Sequence, residues 1–115
     1  MRPILMDPVT VRVARQLRLL DGERFVSGTS SLRILNVRDR DLVETTGMQI
    51  KRVREGLLSL ERLGAITASD LLPGPAREPK QRQVQVIETH PGWIWLSAFD
   101  ALENAYNTAT ETEVL

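Results

Sequence analysis

The chain has 115 residues, 42% of them hydrophobic, with no cysteine, which predicts one domain around one core and excludes a disulfide framework, a thiol nucleophile and a thiolate metal site. His90 is the single histidine, leaving too few soft ligands for an ordinary zinc centre, so neither metal nor cofactor is expected. Fifteen bases balance 15 acids, which at first argues against a nucleic-acid partner, but the zero resolves into +5 over residues 1–87 and −5 over residues 88–115.

Asp7-Pro8 reads as an N-cap followed by a proline-tolerant first helical position. Val9, Val13, Leu17 and Leu20 then recur at helical spacing, Arg12, Arg15 and Arg18 project away from that stripe, and Gly22 supplies a stop, so a first helix is expected over about residues 8–20. Glu23 to Ser31 is rich in Gly, Ser and Thr around Phe25-Val26 and suits a loop with at most a short extended piece. A short strand over Leu32–Leu35 follows. Asn36 is a good N-cap, with Asp39 and Asp41 complementing the positive end of a short helix from Val37 to about Thr45.

Gly47 ends that helix. A longer one starts at Met48 or Gln49, with Ile50, Val53, Leu57 and Leu60 on one face and Lys51, Arg52, Glu55 and Arg62 roughly opposite, and closes at Gly64. The period then turns extended. Ala65 to Leu72 and Arg82 to Ile87 read as two strands joined by a proline-rich tip, Pro73 to Gln81. Thr89 can cap a last helix over about residues 90–107, carrying Trp95, Phe99, Leu102 and Tyr106 as an apolar stripe, with Trp93 and Ile94 on another side. The single domain is thus expected over residues 1–107, and residues 108–115 are expected to form a disordered acidic tail. No stretch approaches the roughly 18 apolar residues of a membrane span. Met1 to Met6 is too short for a secretory signal, so the expected location is cytoplasmic.

The segment Asp41 to Ile66, with Leu42, Thr46-Gly47-Met48, Val53, Leu57, Leu60-Glu61, Gly64 and Ile66 in register, resembles the winged helix-turn-helix superfamily over roughly 26 residues without a gap. Arg82-Gln83-Val84-Gln85-Val86 and Glu88-Thr89-His90-Pro91-Gly92 are similar to the continuation found in MarR-type proteins, with Glu88 in place of the usual leucine and Gln49 in place of the usual serine cap. The resemblance implies a mostly α fold with a small β-hairpin, in the order α-(β)-α-α-β-β-α. It also implies a sequence-specific double-stranded DNA-binding protein, a transcriptional regulator rather than an enzyme.

In such a fold the protruding end of the second helix fits a major groove, where Arg or Lys pairs with guanine and Gln with adenine at about 1–3 kcal/mol per good pair. The expected base readers are Gln49, Lys51, Arg52 and Arg54, the wing contacts are Arg77, Lys80 and Arg82, and Arg38 and Arg40 clamp the backbone. If about six of these neutralise phosphates, log affinity falls against log salt with a slope near −5. The bland alternative is a solvated helix face with pairs such as Arg52–Glu55 and a hairpin tip kept soluble by its charges. Ile50 and Leu58 also leave room for a protein-interaction module in a replication, transcription or mobile-element complex. The aromatic residues Trp93, Trp95, Phe99 and Tyr106 exceed what one small core can hold, so a homodimer through the last helix is expected. No catalytic residues are expected.

Overall fold

The computed structural model describes residues 6–69 and 81–113, with side chains described as far as residue 107. Four helices and a four-stranded antiparallel sheet follow the order α1 (Pro8–Leu19), β1 (Glu23–Ser27), β2 (Ser30–Val37), α2 (Asp39–Thr46), α3 (Ile50–Leu63), β3 (Ile66–Ala68), β4 (Arg82–Ile87) and α4 (Pro91–Glu113). The strand order is β1-β2-β4-β3.

Helix α1 begins as its sequence dictates: Asp7 caps it, with Oδ1 accepting from the Thr10 amide at 2.8 Å, and Pro8 fills the first turn. Its end is closed by a device that the local sequence hides. Arg33 on β2 is 7% exposed and donates to the carbonyls of Leu17, Arg18 and Leu20, satisfying the carbonyls of the last turn. A guanidinium there also complements the negative end of the helix dipole.

The expected loop at Glu23–Ser31 is a β-hairpin. Strand β1 pairs with β2 from Glu23 opposite Ile34 to Ser27 opposite Ser30, around a left-handed Gly28. All five β1 residues are exposed, so burial imposed no alternation on them. Strand β2 is longer than Leu32–Leu35: Asn36 and Val37 pair with Gln83 and Arg82, so Asn36 is a strand residue and not a cap. Helix α2 consequently starts at Asp39, with Arg38 in the N-cap position and making no side-chain cap.

Leu35, Val37, Val84 and Val86 from the sheet meet Val13 and Leu17 of α1, Leu42 of α2 and Val53, Leu57 and Leu60 of α3 in one core. Helices α1 and α3 approach closely at Gly56, where an added Cβ would lie 2.6 Å from Val13 Cγ2. The side chain of α3 is missing where the side chain of α1 enters.

Helix α4 is capped by His90, whose Nδ1 accepts from the Gly92 amide at 3.0 Å, and not by Thr89. It is helical to Glu113, six residues past the expected end. Its buried hydrophobic side chains are Trp93 and Leu96, one step round the helix from the expected stripe, and Trp93 Nε1 donates to the Ala65 carbonyl at 3.0 Å. Trp95 and Phe99 stack with ring centroids 5.3 Å apart beside α1, while Leu102 and Tyr106 are each 72% exposed. The indole that can place its N–H on a buried carbonyl, that of Ala65, which also accepts from the Ile87 amide, has taken the interior position. No helix among the described residues is long and apolar enough to cross a membrane.

Candidate nucleic-acid interface

Helices α2 and α3 are joined by a tight turn in which Gly47 adopts φ +70°, and its amide donates to the Val43 carbonyl at 3.0 Å. That left-handed cap favours glycine and lets the chain reverse within three residues. Thr46 Oγ1 bonds back to the Leu42 carbonyl and accepts from the Met48 amide, which fixes the entry to α3. The first turn of α3 therefore stands clear of the core, with Gln49, Ile50, Lys51 and Arg52 all exposed.

The expected contact residues divide into three groups. Gln49 occupies the α3 N-cap without a side-chain cap bond, so its amide is uncommitted to the helix end. Lys51 is exposed and forms no ion pair with any described residue; the same holds for Arg62, about three turns further along the outward side of α3. Arg52, Arg40 and Arg38 form surface pairs within their own helices or at their start, with Glu55 at 3.1 Å, Glu44 at 3.3 Å and Asp41 at 3.0 Å respectively. Such exposed pairs contribute roughly 0–1 kcal/mol and open readily to a phosphate.

Arg54 and Arg82 belong to a third arrangement that spacing in the chain does not show. Asp39, 5% exposed at the start of α2, accepts from Arg82 Nε at 2.7 Å, from Arg82 Nη2 at 3.1 Å and from Arg54 Nε at 2.8 Å. Burial alone would raise the Asp39 carboxyl, but the hydrogen bonds and charges of the two guanidinium groups hold it below the usual carboxylate range. Arg82 is thus not a free wing contact: its side chain is mostly buried, tying β4 to α2. Arg54 shares the same carboxylate while its side chain remains about half exposed. Arg77 and Lys80 lie outside the described residues.

The acidic segment also has a defined place. Asp100 on α4 accepts from Arg15 at 2.6 Å and from Arg18, and Glu103 accepts from Arg15 at 3.0 Å, so these acids bind α1 and not the Lys51–Arg54 surface. Arg15 and Arg18 therefore do not project freely, as the α1 pattern alone suggests. Glu88 is held below the usual carboxylate range by the Arg24 hydrogen bond, against its partial burial, with Ser31 donating as well. It clips the turn before α4 to β1 and β2.

A cleft of about 510 Å³ runs between the start of α1 and the outward side of α3, bordered by Val9, Arg52, Glu55, Leu58 and Arg62. Its lining mixes both charges with apolar surface, and no group of three or more His, Cys, Asp or Glu side chains among the described residues could hold a metal ion. No family model, curated protein or solved structure matches the chain.

Proposed function

We propose that this domain is a winged helix-turn-helix protein that binds double-stranded DNA sequence-specifically and acts as a transcriptional regulator by occupancy, without catalysis. Helix α3 enters the major groove, and the segment over residues 73–82 serves as a wing on the backbone or minor groove. The observation that carries this reading is the outward face of α3: Gln49, Lys51 and Arg62 are exposed and uncommitted beside the readily opened Arg52. Strand order β2-β4-β3 beside the α2–turn–α3 unit supports it, because that arrangement leaves one side of α3 free for a groove. In this role Asp39 is a positioning residue, since it sets Arg54 and the base of the wing at Arg82 relative to each other.

A second reading has its own observation. Ile50 and Leu58 are 43% and 44% exposed on the same helix, and such apolar surface also suits a protein partner in a replication, transcription or mobile-element complex. Titrating salt against binding to random duplex DNA separates the two. DNA binding predicts a linear fall of log affinity with log salt, and Lys51→Ala flattens the slope by about 0.9. Absence of binding even at low salt rejects the DNA reading and favours the protein partner.

A further inference from the structure

One apolar side chain stands in the middle of the charged side of α3. At 100° per residue, Lys51, Glu55, Leu58 and Arg62 fall within an arc of about 60°, opposite the buried Val53, Gly56, Leu57 and Leu60. Leu58 is 44% exposed and takes no part in the core. It borders both the cleft of about 510 Å³ on the α1 side and a cleft of about 290 Å³ that Arg54, Glu61 and Ala68 line toward the sheet. Leu58 is therefore a crest between two hollows, and a convex crest fits a groove.

Its neighbours narrow what that groove belongs to. Lys51 and Arg62 bracket Leu58 along the axis, about 10 Å before it and about 6 Å after it. Neither forms an ion pair with any described residue. A leucine between two open cations suits a polyanion that shows an apolar group between its charges. Duplex DNA does so in the major groove, where the 5-methyl group of a pyrimidine stands among polar base edges between two rows of phosphates. Ile50, exposed on the same helix, lies about 12 Å away along the axis and about 80° round it, so the two do not form the continuous patch that a protein interface needs.

We propose that Leu58 packs on the 5-methyl group of a pyrimidine in the major groove and makes the domain sensitive to that methyl. The inference rests on the DNA reading above and adds to it a specificity-determining residue. Two bases carry the group, thymine and 5-methylcytosine. Glu55 stands one turn before Leu58, exposed beside Arg52, and its carboxylate can accept from a cytosine amine, so the surroundings of Leu58 suit either base.

Fluorescence anisotropy with duplexes that the unaltered protein enriches from a random pool tests it. Replacing thymine by deoxyuridine, one position at a time, removes the methyl and leaves the base pair intact. At one position the unaltered protein is expected to lose about fourfold in affinity, the burial of one methyl group, while Leu58→Ala binds both duplexes alike. If methylation of a cytosine instead raises affinity about fourfold, and Leu58→Ala abolishes the gain, the same contact is made to 5-methylcytosine. Because Leu58 is exposed, Leu58→Ala is expected to keep the circular dichroism of the unaltered chain. Because leucine neutralises no phosphate, it is also expected to keep the salt slope that Lys51→Ala flattens. Insensitivity of the unaltered protein to both methyl groups overturns the proposal and leaves DNA binding standing. Equal sensitivity in Leu58→Ala assigns the methyl to another residue and overturns it as well. Failure to bind any duplex at low salt overturns the DNA reading itself, and this proposal with it, leaving Leu58 to a protein partner.

Discussion

Helices α1 and α3 begin from similar material and end with opposite surfaces. Both are amphipathic, both bury a stripe in the same core, and both carry arginines on the other side. On α1 the acids of α4 occupy Arg15 and Arg18. On α3 no described residue takes Lys51 or Arg62, and Arg52 has only a neighbour in its own helix. A tally of charge along the chain assigns basic character to both helices alike, whereas the fold pairs two of the three α1 arginines with acids of α4 and leaves Lys51 and Arg62 of α3 open. What decides is whether a later segment with acids packs there.

The largest effects come from what the two helices share. Leu17 and Leu60 are fully buried in one core, so Leu17→Ala and Leu60→Ala are each expected to cost about 2–5 kcal/mol in urea unfolding. A loss confined to one variant would show that the helices do not share a cooperative core.

Next comes Asp39, which joins α3 to β4. Asp39→Asn leaves Arg82 mostly buried against a neutral partner and is expected to cost about 2 kcal/mol at neutral pH, below the range for a fully buried pair because Arg54 is half exposed. Because the folded carboxyl is held below its ordinary value, its contribution is complete above about pH 4 and is lost as pH falls through the depressed folded value. The gap between unaltered protein and variant should therefore close in acid, and a gap that stayed constant would remove Asp39 as its source.

The smallest effect on stability bears most directly on the comparison. Asp100→Asn removes the carboxylate charge facing Arg15 and Arg18, costing less than about 1 kcal/mol, because both pairs are partly solvated. It makes α1 resemble α3 electrostatically. Non-specific affinity for a polyanion such as heparin is expected to rise, read as later elution in a salt gradient, whereas Lys51→Ala should elute earlier. If Asp100→Asn leaves elution unchanged, α4 does not neutralise α1.

Elements whose physics is local were legible in the chain. Asp7-Pro8 marks the start of α1, Gly47 and Gly64 mark the ends of α2 and α3, and the alternation of Val84 and Val86 marks β4. Strand β1 was not legible, because an edge strand exposed on every residue has no burial pattern to leave in its sequence. The phase of α4 was misread because both of its sides are apolar, and the choice between them rests on Trp93 reaching the Ala65 carbonyl, a contact 28 residues away in sequence. Of the candidate site, the exposed start of α3 was legible from the turn. The Asp39, Arg54 and Arg82 cluster was not, since it joins three elements that only the fold brings together.

The chain is unusually lopsided in its choice of base: thirteen arginines accompany just two lysines, Lys51 and Lys80. Lys51 stands on the open side of α3 and contributes to no ion pair among the described residues. Of the two lysines that amine-directed acylation modifies, Lys51 is therefore the one that reports on this face. Acylation cancels a positive charge there while every guanidinium elsewhere keeps its own, so the reactivity of one ammonium group, followed by mass spectrometry, becomes a footprint of whatever covers the helix.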